Sequence, residues 1–260
     1  MGTIPNLFES MNTYTSIIII SLVSFLIVSC SPAPVFRLAP DENNSTFYYG
    51  AEYVQSEVDD ILVSLAYYRH AGNMISSDVE IVNYSEEPVR VSPENFYITA
   101  FNGSPSHPDA IALKQVNAID PEKMLIEIDK KRSRERASEQ TNLVLHATGE
   151  VLSLAGELAS VGSNRSSEER EEARRDRIER RAIRADQRYR HASEMHSLAV
   201  RRDSWEYDTL RKTDLLPDYH IRGLVYVPGN PDARYFELVI PVVETEHRFV
   251  FRQHTFDARR

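Results

Sequence analysis

The chain has 260 residues, of which 39 are acidic and 30 are lysine or arginine, for a formal net charge of −9. That balance speaks against a nucleic-acid partner, because such binding rests on Lys and Arg neutralising phosphates. One cysteine excludes a disulfide framework, and 42% apolar residues over this length suffice for one large domain or two small ones.

The first element is the apolar run from Ile17 to Val28. It is shorter than the roughly 20 apolar residues that span a bilayer. It fits the hydrophobic segment of a secretory signal, about 7–15 residues long. The single cysteine follows directly, and Ile27-Val28-Ser29-Cys30 resembles the lipobox of bacterial lipoproteins. The resemblance implies a thioether-linked diacylglycerol on Cys30, cleavage before it, and acylation of the new amine. Each buried methylene of such an anchor contributes roughly 0.8 kcal/mol, so several acyl chains hold a protein stably on a membrane. The segment departs from the usual signal in one respect. No Lys or Arg precedes the run, and Glu9 is the only charged side chain before Cys30; Met11 is an alternative start. The competing reading is an uncleaved signal anchor or a buried apolar segment. Ser31, where lipoproteins kept in the inner membrane carry aspartate, points to the outer membrane. Surface-displayed lipoproteins of the Bacteroidetes type carry acids just after the cysteine, and by that resemblance the lack of acids between Cys30 and Asp41 points to the periplasmic face.

Residues 30–46 read as a lipidated tether, with prolines at 32, 34 and 40 and a polar run from Asp41 to Ser45. Residues 47–117 read as strands. Ile61–Tyr68, Asp78–Tyr84, Val89–Val91 and Phe96–Phe101 are rich in strand formers, with turn signals at Ser85–Pro88 and Ser92–Asn95. From Asp120 to about Lys212 the chain is helical in character. Asp120-Pro121-Glu122 supplies an N-cap, a proline at the first helical position and an acidic first turn. A basic cluster, Lys130, Lys131, Arg132, Arg134 and Arg136, follows. A second, apolar helix is expected from Leu143 to Val161, then a break at Gly162–Ser166 and a third helix from about Ser167 to Asp208. Strands return at His220–Pro228, Arg234–Pro241 and His247–Gln253.

Neither strand-rich flank has enough strands to bury both faces of a sandwich. The expectation is therefore an α+β chain: one β-sandwich built from 47–117 and 214–260, split by a helical insertion over 118–213. Separate domains in series are the alternative. Val82-Asn83-Tyr84-Ser85 followed by Phe96-Tyr97, Lys212–Pro217 leading to Gly223–Pro228, and the closing Phe249–Gln253 resemble uncharacterised bacterial lipoproteins of the Bacteroidetes type with an immunoglobulin-like domain. The resemblance implies an immunoglobulin-like fold and an envelope location. It carries no catalytic residues.

The residues offer little for chemistry. The eight histidines never pair at i,i+4 spacing, and His146 with Glu150 is too small a set for a closed metal site. There is no Gly-x-Ser-x-Gly elbow, no Ser-x-x-Lys and no phosphate loop. His107-Pro108-Asp109 reads as loop chemistry. In the third helix Glu171 with Arg175, Asp176 with Arg180 and Asp186 with Arg190 are acid-first i,i+4 pairs, the mark of a solvated charged face. No catalytic, cofactor-binding or metal-ligating residue is expected.

Interaction is better supported. Gly149, Ser153, Gly156 and Ser160 form a small-residue stripe at spacings of 4, 3 and 4, which lets helix backbones approach closely. Ile178, Ala182, Ala185, Tyr189, Ala192, His196 and Ala199 repeat the spacing, as a coiled-coil seam does. The two stripes read either as one intramolecular hairpin or as a seam open to a protein partner or a second copy. The expected function is that of a non-catalytic envelope lipoprotein acting in protein–protein interaction or envelope assembly, held to the membrane by Cys30. The alternatives are a periplasmic enzyme or accessory subunit for carbohydrate or peptidoglycan, and a glycan or small-molecule binder using Tyr48, Tyr49, Tyr67, Tyr68 and Trp205.

Overall fold

The computed structural model describes residues 34–41, 45–159 and 166–256. Cys30, the apolar run before it and Ser160 lie outside the described residues. The elements in chain order are β1 (Val35–Pro40), β2 (Ser45–Tyr48), β3 (Ala51–Val58), β4 (Ile61–Ala71), β5 (Met74–Asn83), β6 (Val89–Val91), β7 (Tyr97–Phe101), β8 (Ala112–Asn117), α1 (Pro121–Ala159), α2 (Ser167–Asp203), β9 (Thr213–Leu215), β10 (His220–Pro228), β11 (Tyr235–Val242) and β12 (Thr245–Phe256).

The architecture is α+β. One five-stranded sheet has the order β1-β12-β11-β7-β8, a second has β10-β5-β4-β3-β2, and β6 pairs with β9 beside them. Every ladder between these strands is antiparallel. Sequence alternation explains the layering. Along β5, Val79 and Ile81 are buried while Asp78 and Glu80 point outward; along β11 and β12, Phe236, Leu238, Ile240, Phe249 and Phe251 turn inward. These side chains join Val54, Val63 and Leu65 in one core shared by both sheets. Burying each large apolar side chain contributes about 1.5–3 kcal/mol.

Both flanks of the insertion contribute to both sheets: β1, β7 and β8 join β11 and β12 in one, and β2 to β5 join β10 in the other. This is compatible with a sandwich split by a helical insertion and not with domains in series. Two expectations need correction. Residues 35–40, expected in the tether, form β1 against β12, with Leu38 in the core. An edge strand tolerates proline at its ends because its outer N–H groups need no partner. The helices expected separately at the basic cluster and at Leu143–Val161 are one continuous α1. Residues 137–142 contain neither Gly nor Pro, and Thr141 returns its hydroxyl to the Ala137 carbonyl, so nothing stops the helix.

The insertion is seated on the free edge and outer face of β10. Ile119 donates to the Tyr226 carbonyl at 2.8 Å on the way in, and Leu210 to the Leu224 carbonyl at 3.0 Å on the way out. These contacts cover a strand edge that would otherwise invite pairing with another chain. A second core forms there from Leu125, Ile128, Leu198, Trp205 and Tyr226, with the Trp205 and Tyr226 rings 4.8 Å apart. A π-helical turn, Ser204–Asp208, carries Trp205 into this core. The exiting backbone crosses β10 at Gly223, where a Cβ would stand 2.5 Å from the Leu210 nitrogen. Only glycine fits.

Candidate functional site

The helical hairpin starts well capped. The Asp120 carboxylate accepts from the N–H groups of Glu122 and Lys123, and Ser166 with Glu169 forms a reciprocal capping box at the start of α2. Interhelical contacts set an antiparallel register: ion pairs of Asp129 with Arg202 at 3.0 Å and Lys131 with Glu194 at 2.8 Å, and His191 Nδ1 at 3.2 Å from the Glu139 carboxylate.

The face that α2 turns toward α1 is fixed at the buried base. Counting back from Leu198 in steps of three and four gives Glu194, His191, Arg188, Arg184 and Arg181. All but Leu198 line a cleft of about 820 Å³ between the helices, opposite Glu135, Glu139, Asn142 and His146. The lining is therefore mostly charged and polar, with Leu143 and Ala147 its apolar members. Ala182, Ala185, Tyr189 and Ala192, expected as the seam, lie on exposed surface. Of the small-residue stripe on α1, Gly149 is not packed against them. Gly149 has open space where a Cβ would stand, Ser153 and Gly156 belong to the same helix, and Ser160 lies outside the described residues. Apolar and alanine spacings repeat on more than one face of a long helix, and only the tertiary anchor at Leu198 selects among them.

Away from the base the hairpin leaves apolar side chains in water. Leu143, Val144, Leu145, Val151 and Leu152 on α1, and Ile178, Ile183 and Tyr189 on α2, are each at least half exposed. Leu145, Gly149, Leu152 and Gly156 follow one another at spacings of 4, 3 and 4, so large and small residues alternate along one face. The basic cluster is largely committed to ion pairs: Lys130 with Glu127, Lys131 with Glu194, and Arg132 with Asp129.

Two other groups of polar residues are structural in geometry. On the outer face of the second sheet, Tyr53 donates to Asp78 at 2.7 Å, and Arg222 reaches both Asp78 oxygens and the Tyr53 hydroxyl. Burial and the hydrogen bond to Asp78 push the Tyr53 hydroxyl up to about 12. Burial alone would raise Asp78, but hydrogen bonds from Arg222 and Tyr53 hold it below its ordinary value. Together the three side chains tie β3, β5 and β10 to one another on that face. In the shared core, His247 is fully buried with Nδ1 3.1 Å from the Ser56 hydroxyl, and its Nε2 has no partner. Burial lowers its pKa.

The aromatic groove considered for glycans does not assemble as expected. Trp205 is buried under the helices, and Tyr67 is half-buried and engaged with His70, whereas Tyr48, Tyr49 and Tyr68 are exposed. His107-Pro108-Asp109 lies in the loop between β7 and β8. Among the described residues no group of three or more His, Cys, Asp or Glu side chains is arranged to hold a metal ion, and no helix is long and apolar enough to cross a membrane. Comparison with protein-family models, with curated proteins and with solved structures gives no match.

Proposed function

We propose that the chain is a lipid-anchored, non-catalytic protein of the bacterial cell envelope, an immunoglobulin-like sandwich whose inserted hairpin docks against a second protein chain. The observation that carries this reading is the apolar face of α1, where Leu145, Val151 and Leu152 stand exposed on a helix that its partner helix contacts through a different, mostly polar face. Contiguous exposed apolar surface rimmed by charge marks protein-binding sites. The alternation of leucine with glycine fits close helix-on-helix contact. The lipobox at Cys30 would hold this surface at the outer membrane, on the periplasmic side, where an assembly or scaffold partner would be met.

The test is site-specific photo-crosslinking in native membranes, with the reactive group at Leu145 or Leu152 and a control at Glu57 on β3. A discrete adduct from both helix positions, absent from the control and lost with Leu152→Glu when the probe is at Leu145, is the expected result. Its mass separates a second copy from a different protein. No discrete adduct from either helix position overturns the reading.

A further inference from the structure

One end of the two-sheet body gathers exposed aromatic and apolar side chains around the point where the chain leaves for Cys30. Val35 pairs with Phe256 at that end. Phe36 lies against His70, ring centroids 5.8 Å apart, and its carbonyl accepts from the Tyr67 hydroxyl, which brings the start of β1 beside the end of β4. The β2–β3 turn reaches the same level, since Tyr48 pairs with Ala51 just beyond the Tyr53–Ala66 pair. Val35, Phe47, Tyr48, Tyr49, Tyr68 and Phe256 are all more than half exposed there.

Tyr49 is the most informative of them. It is 93% exposed and sits at φ 48°, followed by Gly50 at φ 81°. A two-residue hairpin turn with both residues at positive φ favours Asn-Gly, and tyrosine carries strain in it. The fold gains little in return, an edge-on contact with Tyr48 at 4.5 Å. Charge also divides the body by end. The turns at the far end carry exposed Asp59, Asp60, Glu86, Glu87, Asp218 and Glu244, which outnumber the exposed Arg90 and Lys212 beside them. The near end carries Arg37, Arg69 and Arg234 beside Glu52, Asp109 and Asp232, and Arg69 lies over the Tyr68 ring at 5.3 Å.

We infer that this end rests on the membrane surface, with Tyr48 and Tyr49 in the headgroup layer and Arg37 and Arg69 toward anionic headgroups. The inference depends on the lipid anchor proposed at Cys30. Four residues separate Cys30 from Val35, so five Cα-to-Cα steps keep the start of β1 within roughly 18 Å of an acylated cysteine at the bilayer. Tyrosine favours the membrane–water interface because its ring is apolar and its hydroxyl stays hydrated. Arginine adds attraction to anionic lipid, and the acidic far end is kept away from it.

The test uses the full-length acylated protein in vesicles of phosphatidylethanolamine and phosphatidylglycerol with brominated acyl chains. Cys30 is the only cysteine and its thiol is consumed by lipid, so Tyr49→Cys, Phe47→Cys and Asp60→Cys each supply one site for a fluorophore. Labels at 49 and 47 are expected to lose about half their emission to the brominated lipid and the label at 60 almost none, as interfacial burial predicts. Quenching at 49 and 47 no greater than at 60 overturns the inference, and protection of those labels by soluble glycan fragments instead of lipid does the same. Mass spectrometry of the N-terminal peptide from the same sample separates the two failures. A missing acyl mass removes the anchor and this surface together, whereas an acylated protein with unquenched labels removes the surface alone.

Discussion

Arg211 and Glu122 meet across 89 positions of sequence in a two-pronged ion pair, Nε to Oε1 at 2.8 Å and Nη2 to Oε2 at 2.9 Å. The pair joins the first turn of α1 to the segment leaving the hairpin, so the two ends of a long insertion close on one another. It stands at the rim of the second core, where Trp205 and Tyr226 pack. The helices are thus tied to the sheets by an apolar plug with a polar clasp beside it.

Removing the clasp should loosen the base without unfolding the sheets. Both side chains remain well exposed, so screening limits the effect. Arg211→Ala is expected to lower stability by about 0.5–1 kcal/mol, and a double-mutant cycle with Glu122→Gln should return most of it as coupling. Urea denaturation gives the energies. Hydrogen exchange should show faster opening at Met124 and Leu125 than at Val79, and equal acceleration at all three would rule out a local clasp.

Two glycines should respond in opposite directions to the same substitution. At Gly223 a Cβ would meet Leu210 and Thr209 backbone atoms at 2.5–2.8 Å, and backbone does not yield as a flexible side chain does. Gly223→Ala is expected to cost about 1–3 kcal/mol or more through overpacking. At Gly149 nothing lies within 4 Å, and alanine is the better helix former by about 0.8–1.0 kcal/mol. Gly149→Ala should therefore raise the thermal midpoint. A fall there would mean that the position is already occupied by another chain.

Buried histidine makes acid sensitivity a property of the two-sheet core. Burial holds the folded-state pKa of His247 below its ordinary value, and burial does the same at His70. The unfolded chain takes up a proton near the ordinary value of about 6.5, while the folded chain resists until lower pH. Between those two points the unfolded state binds more protons. Stability is therefore full above about 6.5, falls as pH drops through the window below it, and levels off under the folded value. Urea midpoints at pH 7.5 and 5.5 measure this. His247→Gln should shrink the difference between them, leaving the His70 share, and an unchanged difference would place the sensitivity elsewhere.

Much of the framework could be read from local pattern. β4, β5 and the three C-terminal strands stand out because Val, Ile and aromatic residues alternate there or run together between turn signals, and Asp120-Pro121 marks the helix start by its own chemistry. β1 is hidden in sequence because its edge position admits Pro40, and its pairing partner, β12, lies more than two hundred residues away. The interhelical face is not legible in sequence for a related reason. The alanine seam and the arginine face share the same spacing, and what chooses between them is Leu198 dropping into a core built from α1, β10 and the π-helical turn. The strain at Tyr49 has no clear signature in sequence beyond the Gly50 that follows it.

The Tyr53–Asp78–Arg222 group offers the last test, because it binds three strands through side chains alone. Asp78 on β5 accepts from Tyr53 on β3 and from Arg222 on β10, and Arg222 also donates to the Tyr53 hydroxyl. Asp78→Asn removes the negative charge that disfavours ionising Tyr53 and leaves Arg222 beside it. The Tyr53 pKa should then fall from about 12 toward its ordinary value of 10.0, stopping short because burial, the largest cause of the rise, remains. Stability should drop by about 1–2 kcal/mol at neutral pH, moderated by the partial exposure of Arg222. Ring-carbon NMR titration of Tyr53 reads the first change and urea denaturation the second. A Tyr53 titration unchanged by the substitution would show that burial alone sets it, and that the three residues do not act as one network.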